Sequence, residues 1–261
     1  MNVLLTNDDG IRAEGLWALY KQIAKNHIVT VIAPDRERSA VGHAITLDRP
    51  LRAKRVALHN GMMGYAVTGT PADCIKLGIY EILEDRPDMV VAGINRGANL
   101  GINVNYSGTV AAAKEAALYG IIGMSVSIGS RATQRFDEAA AFVAEFAETV
   151  FKKGLPVGTF LNVNIPDTSL NKIAGVRVSR LSLEFFSDKF DKRIDPRDNI
   201  YYWQGPDNQR FEQNLDVDGS ALLENFITIT PIKCDMTDYH MLEDMKKWDL
   251  DATVRRRGEA S

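Results

Sequence analysis

Two aspartates stand side by side in "LLTNDDG", residues 4–10, directly after an apolar run close to the N-terminus. Adjacent like charges repel, and Asp disfavours a strand. Either a cation holds Asp8 and Asp9 together, or both sit in a solvated turn. Hard divalent ions such as Mg²⁺ and Mn²⁺ take one or two carboxylates plus neutral oxygens and water. Gly10 lets the backbone turn sharply enough for both carboxylates to approach one ion. A plain Asp9-Gly10 turn with Asp8 capping the next helix would use the same residues. A second chemical stretch, "GINRGANLGINVNYSGT", residues 93–109, is glycine-rich and runs into Ser107-Gly108-Thr109. Free N–H groups and the positive dipole end of a helix starting there would favour a phosphate oxygen. An ordinary Ser or Thr N-cap accounts for one of those residues but not for the glycine-rich approach.

Alternating elements must position these residues. "NVLLT" (2–6), "HIVTVIAP" (27–34), "PDMVVAGIN" (87–95), "GMSVSIG" (123–129) and "TFLNVNIP" (159–166) read as buried strands. Between them, 14–25, 71–83, 107–120 and 136–154 read as helices. Leu16, Leu19, Tyr20 and Ile23 share one face of the first, and Pro71 suits a first turn. Strands alternating with helices predict parallel βαβ units in a three-layer α/β domain. In such sheets ligands bind beyond the carboxyl ends of the strands. Asn7 to Gly10, the loop "APDRERSAVGH" with Ser39, and the loop opening at Asn95 all fall at such ends.

The alternation fades near residue 180. Residues 182–205, rich in aromatics and charges, read as a hairpin or extended arm. "FITITPI" (226–232) resumes strand character, and the last stretch reads as a terminal helix. The division expected is 1–180 for the α/β domain that carries the candidate site and 181–261 for the arm, a returning strand and the terminal helix.

Several classes are disfavoured. There is no G-x-G-x-x-G after the first strand, no G-x-x-x-x-G-K-[ST] and no G-x-S-x-G elbow. Histidines 27, 43, 59 and 240 lack ligand spacing, and Cys74 and Cys234 lack partners at metal-ligand spacing. His43 lies near enough to Ser39 to enter a pocket, but a loop histidine without a chemical role is the simpler reading. A net charge of −3 among 261 residues does not point to a nucleic-acid or membrane-surface binder, and "RRRG" at 255–258 reads as a solvated tail. No basic-then-apolar leader and no membrane-length apolar run is visible. The expectation is a cytoplasmic protein.

"LLTNDDG", "APDRERSAVGHAIT", "GTPADC", "GINRGANLG" and "YSGTVAAA", in this order, closely resemble the stationary-phase survival protein SurE family. "DPR", "YYWQG" and "FITITPI" resemble its later segments. One departure is Asn225-Phe226, where that family usually has Gly-Tyr. The resemblance implies a Rossmann-like α/β fold and metal-dependent 5′-nucleotidase activity. It further implies Asp8, Asp9, Ser39 and Asn95 as ligands of one divalent ion per subunit. Dimers or tetramers exchanging the smaller C-terminal part are also implied. On this reading Ser107, Gly108 and Thr109 hold the phosphoryl group, with Asn7 and Asn99 as further phosphate or ligand positioners. The expected reaction is hydrolysis of a nucleoside 5′-monophosphate, with Asp8 and Asp9 essential. A broader phosphatase acting on 3′-nucleotides or polyphosphate, and a non-catalytic metal and nucleotide sensor, remain alternatives. An aspartyl-phosphate route like that of haloacid-dehalogenase enzymes is disfavoured, because those space their carboxylates D-x-D.

Overall fold

Strand β1 (Asn2–Thr6) lies between two parallel neighbours, β2 (Ile28–Pro34) and β5 (Met89–Arg96). Its alternating side chains explain the layers. Val3 and Leu5 join the core cluster that includes Leu16 and Leu19 of α1 (Glu14–Ile23) and Val143 and Ala147 of α4 (Phe136–Lys153). Leu4 faces the opposite cluster, with Ile75 of α2 (Pro71–Leu77) and Ala112 and Ala116 of α3 (Gly108–Leu118). A strand buried on both faces must read as a continuous apolar run, as β1 and β5 do.

The computed structural model describes residues 1–57, 61–183, 190–204, 211–248 and 250–251. Among these residues the main sheet has nine strands in the order β3 (Ala53–Ala57), β4 (Met63–Val67), β2, β1, β5, β6 (Ile122–Ile128), β7 (Thr159–Ile165), β11 (Phe226–Lys233), β8 (Gly175–Val178). β6 (Ile122–Ile128) and β7 (Thr159–Ile165) extend the parallel run from β5. β11 (Phe226–Lys233) returns antiparallel to β7, and β8 (Gly175–Val178) lies parallel beyond it. The expected mostly parallel α/β sheet with helices on both sides is therefore found.

Some elements depart from the sequence reading. β3 (Ala53–Ala57) and β4 (Met63–Val67) form an antiparallel pair at one edge. β3 is largely exposed, so it lacks the apolar run that marks a buried strand. The helix expected over 71–83 is α-helical only to Leu77 and continues as a π-helical turn, Gly78–Ile82. Short α5 (Asp218–Leu223) has too few turns to show periodicity. The described part of the expected arm is a separate antiparallel pair, β9 (Phe190–Ile194) and β10 (Ile200–Gln204), with Phe190, Tyr202 and Trp203 exposed. In the expected terminal helix, α6 spans Tyr239–Met245 and is capped by Asp238, which accepts from Met241 N at 2.9 Å. The basic stretch 255–258 and His59 lie outside the described residues.

The Asn225 departure has a backbone reason. Asn225 sits at φ +61°, a left-handed conformation that glycine takes freely and that Asn tolerates better than most residues. The following Phe226 packs its ring under the Arg177 guanidinium, 4.1 Å from the ring centre.

Candidate functional site

The turn after β1 is locked from within. Asn7 is fully buried, its Nδ2 donating to Gly10 O at 3.0 Å and its Oδ1 accepting from Gly10 N at 3.1 Å. Gly10 adopts φ +100°, and a Cβ there would come within 3.0 Å of the Arg36 carbonyl carbon. Asn7 thus shapes the turn, and both ends of its amide are engaged in doing so.

Asp8 is buried and lies against the start of α3. The Thr109 hydroxyl donates to Asp8 Oδ1, and the Thr109 backbone N–H also bonds to that carboxyl. The favourable field of the helix start therefore falls first on Asp8. Burial raises the Asp8 carboxyl above its ordinary value, against the lowering effect of the Thr109 bonds. Asp9 is pushed up to about 7 by burial, then by the neighbouring charges of Asp8 and Glu37, with Arg96 opposing. Adjacent carboxylates raised chiefly by burial, and for Asp9 also by its acidic neighbours, mark a candidate functional site where a bound cation would offset the cost of their charge.

β5 delivers Asn95 through an irregularity. Its pairing with β6 shifts register between Ala92 and Asn95, the kind of bulge that re-aims a side chain. Asn95 Nδ2 donates to Gly97 O at 2.7 Å, which leaves its oxygen as an acceptor. Arg96 is held by Glu14 at 2.6 Å and by the Phe136 ring, 5.1 Å from its centre.

Two buried strand asparagines then fix the following loop. Asn99 N donates to Asn164 Oδ1 at 2.8 Å, and Asn99 O accepts from Asn162 and Asn164 at 2.8 and 3.1 Å. Asn99 Nδ2 donates to Ser127 Oγ at 2.7 Å. Asn162 and Asn164 alternate with apolar residues on β7, and the sequence reading took them only as part of a strand.

Ser107 caps α3, its hydroxyl oxygen accepting from Val110 N at 3.2 Å. Gly108 is there because nothing larger fits. A Cβ would stand 2.9 Å from Asp8 Cβ and 3.1 Å from Pro71 Cγ. Ser39 lies on the exposed loop after β2, its hydroxyl donating to Glu37 Oε1 at 2.6 Å. Arg38 N donates to Asp8 O at 2.7 Å and ties that loop to the aspartate turn.

A cleft of about 860 Å³ gathers Asp8, Asp9, Ser39, Asn95, Asn99 and Ser107 on one rim, with Glu37, Tyr106 and Arg131 beside them. Asn7, Gly108 and Thr109 stand behind its wall and shape it. Thr109 differs most from expectation, because its hydroxyl points at Asp8. Glu37, Arg131 and Tyr106 were not singled out from sequence, where they read as ordinary loop residues. Among the described residues no group of three or more His, Cys, Asp or Glu side chains is placed to hold a metal. An ion here would rest on two carboxylates and neutral oxygens.

These features define an α/β protein with an acidic, oxygen-lined cleft at the carboxyl rim of its sheet, beside a helix start. The family model described as Survival protein SurE matches residues 3–188. The 5′-nucleotidase SurE of Desulfatibacillum aliphaticivorans is 51% identical over 96% of this chain and 99% of its own length. That of Syntrophobacter fumaroxidans is 46% identical over 96% and 100%. The crystal structure of the SurE protein from Aquifex aeolicus superposes with a TM-score of 0.82 at 35% identity, covering 94% of this chain and 98% of that one. The chain belongs to the SurE family.

Proposed function

We propose that this protein is a metal-dependent 5′-nucleotidase, hydrolysing nucleoside 5′-monophosphates to nucleoside and phosphate. The observation that carries the reading is the aspartate pair, raised above its ordinary values and lining one cleft with Ser39 and Asn95. The donor set fits a hard divalent cation, since two carboxylates, a hydroxyl and an amide carbonyl are all oxygen ligands. Asp8, Asp9, Ser39 and Asn95 would hold one Mg²⁺ or Mn²⁺ per subunit. When bound, such an ion supplies Lewis acidity for the attacking water and screens the phosphate charge.

The chain's own residues do the rest. Thr109 holds Asp8 in place through two hydrogen bonds that favour its charged form against burial. Ser107, at the mouth of α3, presents a hydroxyl hydrogen to a phosphoryl oxygen while its oxygen caps the helix. The α3 N-terminus adds its positive field as charge moves between phosphoryl oxygens. Asn99 and its asparagine partners keep the floor of the cleft rigid, and Asn7 keeps the aspartate turn rigid.

The segment 181–261 forms the second unit of this reading. It would join two or four copies of the chain through the exposed aromatic hairpin β9–β10. The protein would work on a cytoplasmic nucleotide pool. Among the described residues no helix is long and apolar enough to cross a membrane. Asp8→Asn and Asp9→Asn test the reading directly. Both should lose phosphate release while keeping the wild-type circular dichroism spectrum, and near-normal turnover in both would refute it.

A further inference from the structure

Ser39 is carried by an exposed loop with no secondary structure of its own, yet a ligand has to be held to fractions of an ångström. Anchors flank it on both sides. Before it, Arg38 N donates to Asp8 O at 2.7 Å; after it, Gly42 N donates to Tyr106 O at 2.9 Å. Gly42 takes φ +56°, and a Cβ there would meet Asn105 O at 3.1 Å. His43 then reaches α3, where Nε2 stands 2.5 Å from Glu115 Oε2. Further on, Thr46 N and its hydroxyl both donate to Asp73 at 3.0 and 2.6 Å.

The Glu115 contact is the unusual one. Glu115 is buried on an otherwise alanine-rich helix, with its side chain only 6% exposed. A buried carboxylate is costly unless it is paired. Its two oxygens meet His43 and, at 3.5 Å, Lys76 Nζ, which in turn donates to the Tyr119 hydroxyl at 2.8 Å. Burial alone would raise the Glu115 carboxyl, but the His43 bond, the His43 charge and Lys76 outweigh it and lower it. Neither His43 nor Glu115 lines the cleft.

We infer that His43 and Glu115 are a positioning pair that fastens the Ser39 loop to α3, fixing Ser39 relative to Asp8 and the α3 N-terminus. The same helix carries Thr109 against Asp8 at its start and Glu115 against His43 farther along. One rigid element therefore sets the spacing of two candidate ligands that come from different loops. The inference rests on Ser39 being a metal ligand, as proposed above.

The test is Mn²⁺ binding to the full-length protein without substrate, followed by titration calorimetry and by Mn²⁺ electron paramagnetic resonance. Wild type, His43→Gln, Glu115→Gln, Ser39→Ala and the Ser39→Ala/His43→Gln double variant are compared, with kcat measured at saturating Mn²⁺. His43→Gln and Glu115→Gln should each weaken Mn²⁺ binding about tenfold, the scale of a lost ligand-orienting contact. At saturating Mn²⁺ their kcat should return to within about threefold of wild type. In the Ser39→Ala background, His43→Gln should cost nothing further, because it acts through Ser39. Unchanged Mn²⁺ affinity with only a lower melting temperature would overturn the inference, since that is what a purely structural pair does. An equal loss in the Ser39→Ala background would also overturn it, as would a kcat that stays low at saturating metal. A wild-type protein that binds no Mn²⁺ would instead refute the metal assignment on which the inference stands.

Discussion

Replacing Asp9 by Asn in the metal-free protein should stabilise it, and by an amount that grows with pH. The folded Asp9 carboxyl titrates at about 7, against an ordinary value of 3.8. Burial is the main cause, then the charges of Asp8 and Glu37. A carboxyl raised on folding contributes stability that is fully present below its unfolded value and lost as pH rises through its folded value. Between about pH 4 and 7 the unfolded chain has released this proton and the folded chain has not, so stability falls across that window. The gap is worth at most about 4 kcal/mol. Solvent around the half-buried side chain reduces this to about 1–2 kcal/mol. For a chain of this length that is about 2–4 °C in melting temperature. Thermal denaturation in EDTA from pH 4.5 to 8 should show wild type losing that much relative to Asp9→Asn, which lacks the ionising group. Adding Mn²⁺ at pH 8 should restore wild type and leave the variant unchanged. Parallel profiles for the two proteins in EDTA would show that Asp9 is not in the charge-poor setting described.

Other substitutions probe the walls of the site. Gly108→Ala places a methyl 2.9 Å from Asp8 Cβ. The gain in helix propensity, about 1 kcal/mol, offsets part of an overpacking cost of about 1–3 kcal/mol. Turnover should nevertheless fall tenfold or more as Asp8 is displaced, and wild-type turnover would contradict the packing. Thr109→Val keeps the shape but removes the hydroxyl bonded to the buried Asp8. It should cost about 1–3 kcal/mol and move the acid limb of the activity profile to higher pH, while Thr109→Ser largely preserves both. Gly15→Ala puts a methyl 2.3 Å from Ile94 O, where α1 crosses β5 next to Asn95. A stability loss of about 1–3 kcal/mol in a chemical denaturation curve, with reduced activity, is expected.

What could be read from the sequence followed from period and position. β1, β2 and β5 were visible because strands buried on two faces read as near-continuous apolar runs, and β6 and β7 because short apolar stretches of strand length remain between their buried serines and asparagines. Once they were placed, the strand-end rule put Asp8, Asp9, Ser39 and Asn95 on one rim. The contacts that stiffen this rim left no local trace. Thr109 meets Asp8 across 101 residues and His43 meets Glu115 across 72. Period and spacing report on neighbours within a turn or a strand, not on pairs that only the folded sheet brings together. Asn162 and Asn164 show a related gap: both fit a strand by position, while their purpose depends on a loop from another βα unit. β3 escaped because an exposed edge strand has no need of an apolar face.

The central claim is that this cleft hydrolyses nucleoside 5′-monophosphates with a divalent ion on the paired aspartates. The most direct measurement is phosphate release from a panel of 5′- and 3′-nucleoside monophosphates with Mn²⁺, with Mg²⁺ and with EDTA. Metal-dependent release that favours the 5′-monophosphates and stops in EDTA is the predicted result. Folded protein that binds nucleotide but releases no phosphate with either metal would contradict it and make the cleft a receptor.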